Sequence, residues 1–376
     1  MPGRKAPHRL TASVTELLGF QSCKRRWYLG RMYSGRSSTP ALYFGNGIHQ
    51  GLEGYFKWKK LQPRDIPGQR QACHEAFDVW ATEQVEVLKE EYGMLWEFAV
   101  TPFNQMVNLG EQILDNYIDY DQYAEISLRP ILVEKRMFIP IDEDYDSTKI
   151  NGNGKGLGAR NVLTMRWDLL AETNNGLIGP ADHKTSSGFH ATGSALDIDE
   201  QMTGYAYGYW RLYKRQRTAD VVIYDVLAKK IPAEPKVLKS GKLSKNKAQD
   251  TTHEKMMQAI KARNEDPADF AEVLYVLETK GMGNYFTREI SPRNLLQVQN
   301  YEYRTRLIFE EMRRVIENPE MAYPSPSAFK CPSCPFLQVC IAMEDGGDAQ
   351  YLLDSAFQRH GKTAWTLPPR FREKTG

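Results

Sequence analysis

The chain has 376 residues, of which 41% are hydrophobic and 26% charged, with a net charge of +2 and a mean hydropathy of −0.55. That length holds one large domain or two ordinary ones, no apolar run approaches the roughly 20 residues that span a bilayer, and the near-balanced charge means that any nucleic-acid surface must be local. Five unevenly placed cysteines do not make a secreted disulfide framework, and no apolar stretch follows the basic start Met1–Lys5, so the cytoplasm is the expected compartment.

In chain order, Ser13-Val14-Thr15-Glu16 reads as a capping box opening a helix that carries Leu17, Leu18 and Phe20. Tyr43 to Trp58, Gln69 to Tyr92 and Pro102 to Tyr123 are predicted helices. Ile131 to Ile139 is the first predicted strand. Gly152 to Gly158 lacks the Gly-Lys-Ser/Thr of a phosphate loop and reads as a connector. Two apolar runs follow, Val162–Leu170 and Leu177–Thr185, with Asn174-Asn175-Gly176 between them, the signature of a hairpin. Pro180 predicts that the second run is a short or edge strand. Ile198 to Arg215 is a predicted helix, in which Gly204 and Gly208 imply close approach to the sheet and Tyr207, Tyr209, Trp210 and Tyr213 are packing residues. Val221 to Leu227 is another strand. Lys229 to Lys247 holds seven lysines and one acid, Glu234. Thr251-Thr252-His253-Glu254 reads as a second capping box, and Asn284 to Ile290 as a late strand. Ser291-Pro292 supplies an N-cap and first-turn proline for a helix to about Glu317. The expected fold class is therefore α/β: helices, a small mixed sheet, then more helices.

Asp168, Asp182 and Lys184 carry the most chemical information. Asp182 and Lys184 are two apart on a strand and share a face, and the hairpin is expected to bring Asp168 beside them on that face. Two carboxylates and an ammonium together are costly unless they serve a purpose. Divalent-metal phosphodiester hydrolysis needs this set, because carboxylates hold hard cations and a lysine offsets charge at the phosphate. Glu134 lies on the first predicted strand, His49 on an early helix after Gly45-Asn46-Gly47, and Gln201 and Tyr205 share a helix face at i, i+4. Any one of these alone is unremarkable: a lone Asp-x-Lys is usually a surface ion pair.

The cysteines form a second constellation. Cys331, Cys334 and Cys340 give Cys-x₂-Cys-x₅-Cys, a metal-ligand spacing that leaves a fourth ligand to come from Cys23 or Cys73. Either Zn²⁺ or an iron–sulfur cluster matches four thiolates. The lysine-rich stretch, with Lys239, Lys242 and Lys245 at its centre, is read as a solvated mobile loop or as a phosphate-tracking arm. Arg25, Arg26 and Trp27 are candidates to flank a DNA channel.

Taken in order, Gly45 before His49, the Asp168 strand, Asp182-His183-Lys184-Thr185 and the Gln201-to-Tyr205 helix resemble the PD-(D/E)XK nuclease superfamily. The pattern is closest to its RecB-like branch, which includes the CRISPR-associated RecB-like nucleases and the nuclease domain of AddB. The resemblance implies a restriction-endonuclease-like core at 126–320 with a basic insertion at 229–250. A helical region at 1–125, a cysteine cluster at 321–345 and a tail at 346–376 complete the division. It implies that Asp168, Asp182, His49 and the backbone carbonyl of His183 bind Mg²⁺ or Mn²⁺, with Glu134 a weaker candidate. Lys184 would position or activate the attacking water and stabilise the developing charge on phosphorus, and Gln201 and Tyr205 would orient Lys184 or hold the DNA backbone. It also implies that Cys23 joins Cys331, Cys334 and Cys340 around a [4Fe-4S] cluster, Zn²⁺ being the alternative. The implied activity is a DNA exonuclease in recombination, repair or replication. A CRISPR-associated nuclease and a DNA-end-binding scaffold are the alternatives. No Walker A motif is present, so a helicase would be a separate partner, and related chains that form rings leave room for an oligomer.

Overall fold

The computed structural model describes residues 9–35, 40–93, 96–141, 160–187 and 196–360. Strand β1 (Leu10–Ser13) leads into α1 (Val14–Ser22) and α2 (Lys24–Met32). Ser13 accepts the Glu16 N–H at 3.1 Å, but the Glu16 carboxylate does not complete the box; it accepts Trp27 Nε1 at 2.8 Å and pairs with Arg31. After β2 (Tyr33–Gly35) come three long helices, α3 (Pro40–Leu61), α4 (Ile66–Tyr92) and α5 (Trp96–Tyr123). Strands β3 (Leu128–Pro140), β4 (Asn161–Thr173) and β5 (Ile178–Ser186) follow, then α6 (Glu200–Leu212) and β6 (Val221–Ala228). The Gly152–Gly158 stretch lies outside the described residues.

Helices α7 (His253–Ala262) and α8 (Ala271–Lys280) fold with the lysine-rich loop into a small lobe. Its own core is Leu243, Met256, Ile260, Phe270, Val273 and Leu277. The N-cap of α7 is Thr252, one residue later than the predicted box, with Lys255 N–H on its hydroxyl. Strand β7 (Phe286–Pro292) absorbs Ser291 and Pro292, so they do not open the next helix. Asn294 caps α9 (Leu295–Glu317) instead, in a full capping box with Gln297. Ser291 donates to Asp197 and accepts from buried Arg293. Helices α10 (Leu337–Asp345) and α11 (Ala349–Ala356) precede β8 (Phe357–Arg359), which pairs with β2.

Among the described residues, six strands form one mixed sheet, the α/β architecture expected. Strand β4 is its hub. One edge of β4 pairs antiparallel with β3 along nearly its whole length. The other edge is shared: β1 takes Asn161 to Thr164 in parallel, and β5 takes Leu169 to Glu172 antiparallel. Beyond Leu169–Ala181, β4 and β5 part, and β5 runs parallel to β6 from Ala181 onward. This fork is where the functional side chains gather. Strand β5 is thus central, not an edge. Pro180 is tolerated because it precedes the first β5–β6 pair, so its missing N–H breaks no bond in that ladder. The parallel crossover through α6 lays that helix over the fork.

Helices cover both faces of the sheet. On one side, α1, α2, α6, α9, α10 and α11 bury residues such as Phe20, Tyr28, Tyr207 and Phe309 against Leu163, Met165 and Trp167 of β4. On the other, α3, α4 and α5 pack Ile48, Leu52, Phe77 and Tyr117 against Leu169, Ala171 and Ile223. The segment before residue 125 therefore contributes to both cores and, through β1, to the sheet. At Gly208 a Cβ would meet Met165 and Met137, so this glycine does let α6 approach the sheet; Gly204 meets Tyr301 of α9 and Val14 of α1 instead.

Candidate active site

Strand alternation should keep Leu163, Met165, Trp167, Leu169 and Ala171 on one face. The first three lie in one core and the last two in the other, so the alternation slips at Asp168. The neighbouring strand slips at the same level: Val133 and Lys135 pair with Leu169 and Trp167, which sets Glu134 opposite Asp168. Glu134 has φ of +51°, a left-handed backbone inside a strand. Such strain of about 1–3 kcal/mol persists where surroundings impose it, typically at functional sites. The slip gathers His49 of α3, Glu134 and Asp168, whose donor atoms all lie within 4.8 Å of one another. His49 Nδ1 is 3.5 Å from Asp168 Oδ2.

Asp182 and Lys184 face α6. Lys184 Nζ lies 2.8 Å from Asp182 Oδ2 and donates to Gln201 Oε1 at 3.3 Å. Gln201 Nε2 reaches Asp182 Oδ1 and the Tyr205 hydroxyl, both at 3.0 Å, and Tyr205 donates to Asp182 Oδ1 at 3.3 Å. The single sheet face expected for Asp168, Asp182 and Lys184 is therefore two groups meeting across the fork. Their link is the His183 backbone N–H, which donates to Asp168 Oδ2 at 2.9 Å where the β4–β5 ladder has ended. The His183 ring points away from Asp182 and Lys184, toward α3, where it meets the His49 ring edge-on at 6.3 Å. It stacks on Phe56 at 5.2 Å and meets Asp225 Oδ2 through Nδ1 at 2.9 Å. Asp225 was invisible as a site residue in the sequence; the signal available was one acid inside the apolar run Val221–Ala228.

The electrostatics suit a cation. Burial pushes the Asp182 carboxyl up to about 6, with Lys184 pulling it down and Asp168 adding to the rise. Burial likewise lifts Glu134 to about 7, against the pull of Arg166, whose Nε is 3.0 Å away. Glu134 Oε2 and Asp182 Oδ2 are buried and accept no aligned hydrogen bond, having only these ion-pair contacts. Burial lowers His49 below its ordinary value, which favours the neutral imidazole that ligates metals. For Lys184, burial acts downward but Asp182 outweighs it and holds the ammonium charged. Carboxylates held partly protonated, with orphaned oxygens beside a neutral imidazole, are the donor set of a divalent-metal site.

A family model of the PD-(D/E)XK nuclease superfamily matches residues 11–341. The chain belongs to that superfamily. No match is found among curated proteins. Membership makes this PD-(D/E)XK protein a nuclease that hydrolyses phosphodiesters with divalent metal. Among its described residues, no helix is long and apolar enough to cross a membrane.

The remaining sequence-predicted residues divide. Cys23, Cys331, Cys334 and Cys340 line one cavity of about 670 Å³ beside α2 and α10, none of them in a disulfide, while Cys73 is buried elsewhere. Arg26 N–H points at Cys23 Sγ at 3.5 Å, Ser327 N–H at Cys331 Sγ at 3.3 Å, and Arg25 Nη1 at Cys340 Sγ at 3.5 Å. Arg25 is thus corrected: it is 2% exposed, donates to Ala322 O and pairs with Glu344, so it cannot reach a DNA backbone. Trp27 is buried as well, whereas Arg26 is exposed. The lysine stretch is no extended arm. Val237 bridges to Leu243, and Arg263 donates to Gly241 O at the tight turn between them. Lys230, Lys245 and Lys247 are ion-paired to Asp250, Asp269 and Glu272, while Lys239 and Lys242 stand exposed at the turn.

Proposed function

We propose that this PD-(D/E)XK nuclease is a DNA exonuclease of the RecB-like branch that works in recombination, repair or replication. The observation that carries the proposal is the fork: His49, Glu134 and Asp168 within 4.8 Å on one side, and Asp182 with Lys184 on the other. His49 on α3 is the RecB-like element of this set. A Mg²⁺ or Mn²⁺ ion held by His49, Glu134, Asp168 and Asp182 would polarise the scissile phosphate. The His183 carbonyl is assigned as a further oxygen ligand. Lys184 keeps its charge, so its task is to orient the attacking water and offset negative charge as it builds on phosphorus. Gln201 and Tyr205 fix both Asp182 and Lys184, sparing reorganisation during the reaction.

The four cysteines are assigned to a [4Fe-4S] cluster, with Zn²⁺ as the alternative occupant. What supports a metal or cluster there is that Cys23, Cys331, Cys334 and Cys340 line one cavity and that N–H groups of Arg26, Ser327 and Arg25 are aimed at three of the sulfurs. Its role would be to tie residues 23–26 to residues 324–344. Exposed Arg26, Lys239 and Lys242 are assigned to the DNA backbone, with Lys245 secondary because Asp269 holds it.

The test is digestion of linear and covalently closed DNA, in parallel with RNA, in Mn²⁺ or Mg²⁺. Degradation confined to linear DNA supports the proposal. Equal cutting of closed circles points to an endonuclease, and tight DNA binding without cleavage points to an end-binding scaffold. Co-purification with spacer-acquisition proteins would favour the CRISPR-associated reading.

A further inference from the structure

We propose that a buried polar row behind β5 positions the metal site, holding α3, which carries His49, against the strand that carries Asp182 and Lys184. The inference rests on the reading of His49 and Asp168 as metal donors.

The row begins at His183, between Asp182 and Lys184. Alternation turns its ring away from them, and its cross-strand partner in β6 is Asp225, whose partner in β7 is Arg288. One line thus crosses three neighbouring strands. His183 Nδ1 meets Asp225 Oδ2 at 2.9 Å, and Arg288 donates to Asp225 through Nε at 3.0 Å. Arg288 then leaves the sheet, donating from Nη1 to Asp121 Oδ1 of α5 at 2.7 Å and from Nη2 to the Tyr117 hydroxyl at 2.8 Å. Asp121 closes the circuit onto α3, accepting from Tyr55 at 2.7 Å and pairing with Lys59. Phe56, two turns after His49 and on the same side of α3, stacks on His183. The path leaves the strand between two site residues and returns on the helix that supplies a third.

Its chemistry argues for geometry over bulk stability. Asp225 is 0% exposed and Asp121 1%. Desolvating such charges offsets most of what their attraction contributes, and apolar replacements of similar volume are often no less stable. Directional bonds, unlike greasy contact, fix the rotation of a helix about its axis. Rotating α3 would carry His49 away from Asp168, and the bonds from Tyr55 and Lys59 to Asp121 add a directional restraint to the packing of Ile48, Leu52 and Phe56. Tyr55, Asp121, Asp225 and Arg288 touch no reacting atom, so they are positioning residues.

Mn²⁺ binding to the metal-stripped full-length chain, read from the paramagnetic resonance of the free ion, tests this in a double-mutant cycle. Tyr55→Phe removes one hydroxyl and is expected to weaken Mn²⁺ binding about fivefold, the scale of one buried hydrogen bond. In a His49→Ala background the same change is expected to do nothing further. Equal losses in both backgrounds, or a lower melting temperature with Mn²⁺ affinity unchanged, would overturn the proposal. Lys59→Met breaks the same tie and carries the cycle if Tyr55→Phe does not fold. Wild type that binds Mn²⁺ no better than His49→Ala would instead overturn the metal-site reading itself, and this inference with it.

Discussion

Glu134 is a carboxylate that the metal-free fold holds at a cost, and Glu134→Gln isolates that cost. Burial, helped by Asp168 and Glu53, lifts its carboxyl from an ordinary 4.5 to about 7, against the pull of Arg166. A raised carboxyl binds its proton more tightly folded than unfolded, so the fold loses stability as pH climbs from about 4.5 through 7. The full difference corresponds to about 3 kcal/mol. Its side chain is 11% exposed, and screening from the open side of the fork brings this to about 1–2 kcal/mol. Glutamine has the same shape and no charge to desolvate, and Arg166, already 45% exposed, stays solvated. At pH 8 in chelator the variant should therefore melt about 1–3 °C above wild type. At pH 4.5 the two should coincide. Adding Mn²⁺ at pH 8 should reverse the order, because wild type gains a ligand that glutamine supplies poorly. Scanning fluorimetry at both pH values, with and without Mn²⁺, reads all three. A difference independent of pH, or equal Mn²⁺ shifts in both proteins, would refute the account of Glu134 as a destabilised metal donor.

Three further outcomes follow from the site and its surroundings. His49→Ala should narrow the preference for Mn²⁺ over Mg²⁺, since imidazole suits the softer ion; cleavage rates at matched metal concentrations measure it, and an unchanged ratio removes His49 from the ligands. Cys331→Ala should lose bound iron and the visible absorption of the anaerobically purified protein, and melt lower; elemental analysis giving zinc and no iron in wild type would replace the cluster with Zn²⁺. Replacing Lys239 and Lys242 together by alanine should reduce the slope of log affinity against log salt by about 2 on duplex DNA, whereas Lys245→Ala, already paired to Asp269, should change it less.

Much of the site is legible in the sequence because its chemistry is local. The Asn-Gly hairpin, the Asp-x-Lys spacing on β5 and the Gln201–Tyr205 helical pair each depend on residues a few positions apart, and the structure brings them together. What the sequence conceals is non-local. Strand β1 is four residues long and exists through its pairing with β4, some 150 positions away. The phase slip at Asp168 and Glu134 shows only in the fold, where Leu163, Met165 and Trp167 enter one core and Leu169 and Ala171 the other. Arg25 looks like a free basic residue until its partners Ala322, Cys340 and Glu344 arrive from the other end of the chain. Ser291-Pro292 has the composition of a helix start, yet pairing with Val222 and Val221 of β6 keeps it in a strand.

The central claim is that metal-dependent phosphodiester hydrolysis occurs at the β4–β5 fork. Its most direct test is hydrolysis of linear DNA by anaerobically purified wild type, Asp182→Asn and Lys184→Met, each titrated with Mn²⁺ and each checked for folding. The account predicts cleavage that requires Mn²⁺ and falls at least a hundredfold in both variants, the scale of losing one group that stabilises transition-state charge. Cleavage that persists in chelator, or survives in folded Lys184→Met, would place the reaction elsewhere and contradict it.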